Sequence, residues 1–307
     1  MKTYFSYGKL LITGEYLVLD GANALAVPTK YGQELNVTLL PGSGNIHWTA
    51  KDSDGNIWLN CSFILEEKHL ISVAVGDYKS TEEIVVLKRI LENALHLNPD
   101  FLNNDSDYEV ITKLQFPNTW GLGSSSTLIA NIAQWALVDS MALFFNSFEG
   151  SGYDVAVAME SKPILYSLQN KTPVWHSIGF NPSFSDQLYF IHLNKKQNSR
   201  DELTQYKKNA APNPVLIDAI NLITEGILQS TTLEQFEDLI TRHEILISGS
   251  IGKTPVKQTL FNDYPGAIKS LGAWGGDFIL ATRDISVKYF GEKGYNTILA
   301  WQDIIKS

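Results

Sequence analysis

A loop rich in glycine and serine constrains the fold more than any other stretch of this sequence. It lies in PNTWGLGSSSTLIANIAQW, residues 117–135. The apolar alternation of YEVITKLQF, residues 108–116, predicts a strand before the loop, and the apolar residues after Ser124 predict a helix after it. The chain is therefore expected to contain a strand–loop–helix unit whose helix begins at the serines.

The loop matches neither of two common phosphate-binding motifs. No lysine follows its glycines, as a P-loop requires, and Ser126 stands where the dinucleotide-binding motif needs a third glycine. Gly121 and Gly123 would still let an anion approach the backbone, and the unpaired N–H groups of a helix start attract negative charge. An anion cradle and an ordinary turn with a serine cap are both consistent with this stretch.

Two further glycine segments could carry chemistry. In GSGYDVAVAME, residues 150–160, Asp154 follows a glycine–serine turn, and we expect an apolar strand after it. This carboxylate could be catalytic, or it could accept a hydrogen bond from its own turn. LGAWGGDFIL, residues 271–280, predicts a glycine loop that enters a buried strand. Neither segment identifies a function by itself.

The order of predicted elements indicates an α+β protein with two domains. Ser80 and Glu83 have the spacing of a capping box, and Asn213-Pro214 resembles a helix start. The predicted helices run from about residue 80 to 95, from 213 to about 229 and from 233 to about 247. The predicted strands are 10–13, 16–19, 33–40, 46–50, 57–64 and 186–194, with 46–50 and 57–64 forming a hairpin around Asp54-Gly55. We place the domain boundary near residue 185, which gives domains 1–185 and 186–307.

Composition excludes several functional classes. The net charge of −9 and the pI near 5.2 argue against a nucleic-acid surface. Cys61 is the only cysteine, so an intrachain disulfide and a cysteine-based zinc site are excluded. His243 and Glu244 lack an HExxH partner and do not support a zinc site. The N-terminus does not resemble a signal peptide, and no apolar stretch is long enough to span a membrane, so we expect a soluble cytoplasmic protein.

Taken together, the glycine segments form a recognisable series. GK near the N-terminus is followed by PxxxGLGSSS, then SGxD, then a GAxGG loop. This series resembles the GHMP kinase superfamily, which includes galactokinase, homoserine kinase, mevalonate kinase and phosphomevalonate kinase. The resemblance is closest to the mevalonate-pathway members, whose PGKxxLxGEHxVxxG start corresponds to YGKLLITGEYLVLDG. It covers nearly the whole chain, from Gly8 to Gly276, and suggests a divergent subgroup that carries GSGYDVA.

The resemblance implies a two-domain fold, with an N-terminal domain like ribosomal protein S5 and a ferredoxin-like C-terminal domain. It also implies an ATP phosphate loop, in which Ser125 would be a Mg²⁺ ligand. Gly272, Ala273, Gly275 and Gly276 would support this loop and line the substrate side, and Glu15 and the segment 24–26 match the first motif with a lesser role. The implied phosphate-loop residues are Pro117, Gly121, Leu122, Gly123, Ser124, Ser125 and Ser126.

The same resemblance places two residues beside the acceptor hydroxyl. Asp154 would accept the proton of that hydroxyl or orient it, and both roles remain open. Lys9 would favour the developing alkoxide and keep Asp154 ionised. Without the motif, Lys9 would be interpreted as a solvated strand lysine. Phosphoryl transfer depends mostly on positioning and charge neutralisation, so this set is sufficient in outline.

The sequence also departs from the family pattern. Tyr7 replaces the proline before GK, Tyr16 the histidine of GEH, and Trp274 a usual glycine, and Asp277 follows the last glycine. Leu143 occupies the position of the glutamate that is the second Mg²⁺ ligand. The nearest acidic residue, Glu149, has the wrong spacing, so Ser125 and ATP oxygens could hold Mg²⁺ alone. Lys195, Lys196 and Arg200 form either an anion site or a solvated basic face.

These observations predict an ATP- and Mg²⁺-dependent kinase that phosphorylates a small metabolite. We expect mevalonate or phosphomevalonate as the acceptor. The alternatives are another GHMP substrate, such as homoserine or a sugar, and a kinase-derived nucleotide-binding protein without turnover. The expected partners are ATP and the acceptor, with no nucleic acid and no membrane, and the protein would be a monomer or a homodimer.

Overall fold

The computed structural model describes residues 1–66, 69–74, 81–102, 106–195, 206, 213–272 and 274–306. Of the residues discussed above, Ser80, Lys196, Arg200 and Ala273 lie outside this set. The strands are Lys2–Leu11 (β1), Ala24–Pro41 (β2), Asn45–Lys51 (β3), Ile57–Glu66 (β4), His69–Ala74 (β5), Ser106–Leu114 (β6), Ile164–Gln169 (β7), Thr172–Ser177 (β8), Leu188–His192 (β9), Ile268–Ser270 (β10), Phe278–Thr282 (β11) and Ile298–Ala300 (β12).

The α-helices fall in groups between runs of strands and do not alternate with them one by one, which confirms the α+β class. Two short 3₁₀ segments, Leu17–Asp20 and Ser185–Gln187, accompany them. Among the described residues, no helix is long and apolar enough to cross a membrane. The described helices are Thr81–Leu97 (α1), Ser124–Ala136 (α2), Ser140–Ser147 (α3), Tyr153–Glu160 (α4), Pro214–Gln229 (α5), Leu233–Ile251 (α6), Val256–Leu260 (α7), Ser286–Glu292 (α8) and Trp301–Ile304 (α9).

The chain divides into two compact units. Unit 1 comprises Met1–Gly8, Tyr31–Asn118 and Gly123–Met159, and unit 2 comprises Lys9–Lys30, Thr119–Leu122 and Glu160–Ser307. Strands β1 and β2 and the loop after β6 therefore contribute residues to both units. The boundary near residue 185 stays a prediction.

Unit 1 is a twisted sheet covered by helices. Its strands follow the order β5-β4-β3-β6-β2, and the β3–β4 hairpin pairs Trp48 with Cys61, as the Asp-Gly turn predicted. β3 and β6 run parallel, with Trp48 beside Val110. The predicted apolar face of α1 is buried, since Ile84, Leu87, Ile90, Leu91, Ala94 and Leu95 are all in the core.

Unit 2 contains a second, antiparallel sheet in the order β10-β11-β9-β12. Its two long helices are α5 and α6, and they pack against each other. The start of α5 follows the sequence prediction, because the Asn213 side chain accepts a hydrogen bond from the Leu216 N–H and Pro214 occupies the first turn. Helix α6 extends to Ile251, about one turn beyond the predicted end.

Two predicted strands are wrong. Residues 16–19 form most of a 3₁₀ segment because Tyr16 adopts φ 62° and ψ −50°, and the Leu17 N–H donates to the Glu15 carbonyl at 2.6 Å. This γ-turn breaks the alternation that a strand needs. The residues after Asp154, which were predicted to be a strand, form helix α4. Val155–Ala158 are all buried, so the sequence lacks the polar face by which a helix is normally identified.

Helix α2 is fixed to the sheet of unit 1 by buried polar contacts. The Asn131 amide donates to the Gln33 carbonyl at 2.9 Å, and its oxygen accepts from the Ser6 hydroxyl at 2.8 Å. One turn earlier, the Thr127 hydroxyl donates to the Gln33 side chain at 2.7 Å. Because Thr127 and Asn131 share one face of the helix, these bonds fix the position of its first turn.

Replacing Asn131 by alanine should destabilise unit 1. The Gln33 carbonyl would lose a buried donor and the Ser6 hydroxyl its acceptor, which we expect to cost about 2–3 kcal/mol. Urea unfolding measures this loss, with the exposed Asn146→Ala as a control that should change stability by less than about 0.5 kcal/mol. Equal losses in the two variants would contradict the role given to Asn131.

Candidate active site

The predicted phosphate loop ends in a helix start that no side chain caps. Gly123 is the N-cap of α2, with φ 86° and ψ 45° in the left-handed region. The first helical bond within α2 runs from the Thr127 N–H to the Gly123 carbonyl at 3.0 Å. The N–H groups of the three serines before Thr127 therefore have no acceptor within the helix. Together with the helix dipole, they form a local positive end that fits an anion.

The three serines of the loop differ in their surroundings. Ser125 is exposed, and its hydroxyl is therefore accessible to a metal ion or a phosphate. Ser126 is buried, and its hydroxyl donates to the Gly123 carbonyl at 2.7 Å. Ser124 is half-buried. A hard oxygen donor beside an anion cradle suits Mg²⁺ with a nucleotide, so the residues present fit both predicted groups.

The first glycine of the loop is held from strand β1. Gly121 has φ 65°. The Lys9 ammonium donates to its carbonyl at 3.1 Å, and the Lys9 backbone N–H donates to the Leu122 carbonyl at 3.0 Å. Lys9 is buried, which excludes the alternative of a solvated strand lysine. These contacts lie within unit 2 and place a cation directly on the loop.

Sequence reasoning missed two residues beside this loop. His192 of β9 lies 3.0 Å from the Thr119 carbonyl through its Nε2 atom. The Trp120 ring packs edge-on against Phe278, with ring centroids 5.5 Å apart. His192 had no ligand spacing in the sequence, and Trp120 lies only one residue before the glycines, so neither carried a signal.

Asp154 lies in the first turn of α4, behind a tight glycine turn. Gly150 and Gly152 have φ values of 142° and 83°, and a side chain at Gly152 would collide with Met141 of α3. The Asp154 Oδ1 atom accepts a hydrogen bond from the Val155 N–H at 3.1 Å, and the side chain is half-buried. Asp154 belongs to unit 1 and Lys9 to unit 2, so their action on one hydroxyl stays a prediction.

Position 143 offers no carboxylate that could bind Mg²⁺ together with Ser125. Leu143 is fully buried in α3, where it is a core residue, whereas Glu149 is exposed. Among the described residues, no group of three or more His, Cys, Asp or Glu side chains could hold a metal ion. Ser125 as a protein ligand of Mg²⁺ stays a prediction.

Glu15 is buried in a polar cluster of unit 2. We call it the Glu15 cluster, and its members are Glu15, His243, Glu244, Lys269 and Ser270. The Glu15 carboxylate forms a salt bridge with the Lys269 ammonium, and the exposed fraction of both side chains is about zero. Burial raises the pKa of Glu15, although Lys269 opposes this shift. A direct contact of Glu15 with a nucleotide stays a prediction.

His243 is neutral within the Glu15 cluster. The Gly14 N–H donates to its Nε2 atom at 3.0 Å, so this nitrogen carries no proton. Burial, with Lys269 adding to it, holds the pKa of His243 well below its usual value. The approach of Glu15 to the same nitrogen at 3.4 Å is therefore not an ion pair. The role of His243 is structural, because its Nε2 atom accepts the hydrogen bond that holds the turn at Gly14.

Glu244 holds the strand that leads into the C-terminal glycine loop. It accepts from the Ser270 N–H at 3.0 Å and from the Ser270 hydroxyl at 2.7 Å. Lys269, the preceding residue of β10, carries the salt bridge to Glu15. Burial raises the pKa of Glu244 to about 7. The entrance of the loop thus depends on two buried carboxylates.

In the loop itself, the unusual Trp274 is part of the core. Its indole is buried against Tyr16, Leu17 and other residues of one hydrophobic cluster. The backbone N–H of Trp274 donates to the Tyr16 hydroxyl at 3.3 Å. The two departures from the family pattern, Tyr16 and Trp274, are therefore neighbours. Gly272 and Gly275 have φ values of 61° and 86°, and Gly275 is exposed whereas Gly276 is buried.

The Glu244 pKa predicts a pH-dependent stability. The carboxyl titrates near 4.5 when unfolded and near 7 when folded, so between these values the folded state binds more protons. Stability should therefore fall as the pH rises from about 4.5 to 7, by roughly 3 kcal/mol. Urea unfolding across this range should show that the difference between wild type and Glu244→Gln shrinks as the pH falls. The exposed Glu292→Gln is the control, and parallel curves for all three proteins would contradict this assignment.

Comparisons with known proteins identify the fold. No protein-family model and no curated protein sequence matches the chain. Among solved structures, L. major mevalonate kinase in complex with R-mevalonate is similar over 98% of this chain and 95% of its own, with a TM-score of 0.67 and 16% identity. S. pneumoniae phosphomevalonate kinase in complex with phosphomevalonate and AMPPNP matches over 98% of both chains, with a TM-score of 0.68 and 16% identity.

A sugar kinase has the same architecture. L. lactis galactokinase complexed with galactose matches over 97% of this chain and 92% of its own, with a TM-score of 0.66 and 13% identity. Because all three solved structures are matched nearly from end to end, the similarity concerns the whole chain and not one domain. The protein therefore has the fold of the GHMP kinases.

Proposed function

We propose that this protein is an ATP- and Mg²⁺-dependent kinase that phosphorylates a small metabolite. The observation that carries the proposal is the uncapped start of α2 behind Gly123, with the exposed Ser125 hydroxyl in its first turn. The fold supports it, because solved structures with this fold include kinases in complex with R-mevalonate, phosphomevalonate and galactose.

In this proposal the loop binds the phosphates of ATP. The N–H groups of Ser124, Ser125 and Ser126 donate to phosphate oxygens, and Gly121 and Gly123 allow their close approach. The Ser125 hydroxyl would hold Mg²⁺, which when bound neutralises phosphate charge. Pro117 and Leu122 shape the loop, and Gly272, Gly275 and Gly276 line the substrate side.

The acceptor hydroxyl is placed beside Asp154. A half-buried carboxylate at a helix start can accept the proton of that hydroxyl or fix its direction. Lys9 supplies the positive charge that favours the alkoxide. Mevalonate or phosphomevalonate is the proposed acceptor, by analogy with structures of this fold that contain these molecules.

A panel of acceptors tests the activity. The protein with ATP and Mg²⁺ should release ADP with one of mevalonate, phosphomevalonate, homoserine and galactose, and Asp154→Asn should lower this rate by about 100-fold or more. The control is Glu149→Gln, which removes a carboxylate nearby in the sequence and should keep the rate. ATP binding without turnover for any acceptor would favour a nucleotide-binding protein instead.

The phosphate site has its own test. Gly123→Val should abolish ATP binding, because valine disfavours φ near 86° and its side chain would block the N–H groups of the helix start. Calorimetric titration with ATP in Mg²⁺ measures the loss. Gly249→Val is the matched control, since a side chain there meets open space and the backbone is helical. Unchanged ATP affinity in Gly123→Val would place the nucleotide elsewhere.

A further inference from the structure

An aspartate contacts the first glycine of the phosphate loop. A Cβ atom at Gly121 would overlap the carboxyl group of Asp277, so the absence of a side chain at Gly121 makes room for this carboxylate. The Lys9 ammonium donates to the carbonyl of the same glycine. All three residues belong to unit 2. A cation and an anion therefore meet the loop at one residue, less than about 10 Å apart by the lengths of these contacts.

The Asp277 carboxylate is held in this place by its backbone. Its N–H donates to the Lys195 carbonyl at 2.7 Å, and its carbonyl accepts from the Leu193 N–H at 2.8 Å. The residue is buried and adopts φ 49°, a left-handed conformation in which glycine is the usual residue. Aspartate tolerates this conformation better than most residues, but at some cost in stability.

The charge of Asp277 changes what the loop can bind. Two residues further along the chain, Gly123 begins the helix whose N–H groups would hold the phosphates. The Asp277 carboxylate offsets part of the charge of Lys9, and it adds a negative charge beside a helix start whose partial positive charge would face several negative charges of ATP. In a partly buried site, such uncompensated repulsion is strong. A divalent cation on the phosphates removes most of it.

We propose that Asp277 makes nucleotide binding depend on a divalent cation, because its carboxylate partly offsets the charge of Lys9 beside the phosphate loop and repels metal-free ATP. This inference rests on the proposed function. It assigns to Asp277 a selection between two forms of the same nucleotide, the metal complex and the free anion.

The test compares ATP affinities with and without the metal. Calorimetric titration of the full-length protein with ATP is carried out in Mg²⁺ and in EDTA, and the two Kd values give a ratio. In the wild type, ATP should bind at least about ten-fold more tightly in Mg²⁺. In Asp277→Asn the ratio should fall by at least about five-fold, mainly because metal-free ATP binds more tightly. Asparagine keeps the shape and tolerates the left-handed backbone.

Two further variants keep the test decisive. Asp277→Gly removes the same charge and relieves the backbone, so it replaces the asparagine variant if that protein does not fold. Asp284→Asn removes an exposed charge of the same unit and should keep the wild-type ratio. If the ratio of the Kd values in EDTA and in Mg²⁺ is unchanged in both Asp277 variants, the inference is overturned. This includes the case in which a variant binds ATP equally more weakly in both conditions. Absence of ATP binding to the wild type in both conditions overturns the proposed function as well.

Discussion

The first turn of α2 is the constraint on which the proposed chemistry depends. A helix leaves its first N–H groups without internal acceptors, and here the N-cap is a glycine that has no side chain to satisfy them. Relative to glycine, a serine or aspartate cap stabilises a helix by only about a few tenths of a kcal/mol, so the cost of leaving these donors uncapped is small. The structure instead leaves these donors available and fixes the helix from its other side, through Thr127 and Asn131 on the Gln33 strand. The contacts that hold this helix and the proposed binding site are thus in different parts of it.

In the Glu15 cluster, too, the contribution to stability and the positioning of residues are separate. Burying an ion pair is costly, and removal of one partner would leave an uncompensated charge in the interior. The cluster therefore adds little stability, but it fixes directions: Lys269 and Ser270 are held immediately before the glycine loop that ends at Asp277. Trp274 holds the middle of that loop in the core. A loop that must present backbone and one carboxylate at defined positions needs such support on both sides.

Local signals in the sequence were sufficient for much of the fold. The cap at Asn213, the Asp-Gly turn of the hairpin and the apolar face of α1 depend on neighbouring residues, and the structure confirms each. The two strand predictions that were wrong have different causes, one local and one global. At Tyr16 a γ-turn interrupts an apolar run, and at residues 153–160 burial on all sides removes the periodicity that distinguishes helix from strand. For the site, the sequence pointed to the glycine loop and to Lys9, but it did not predict that the Lys9 ammonium contacts the Gly121 carbonyl.

The sequence by itself determined which residues are proposed for the phosphate site: two glycines, three serines at a helix start, one lysine and one aspartate. Only the tertiary structure decided which polar groups meet. Glu15 reaches Lys269 and His243 across more than two hundred residues, Tyr16 meets Trp274, and Asp277 meets Gly121. The Glu15–Lys269 pair forms because a buried charge needs a partner, and the fold brings that partner from a distant segment, as it does for the contacts of Tyr16 and Asp277. A sequence shows which residues need a partner, and the fold determines which partner each one has.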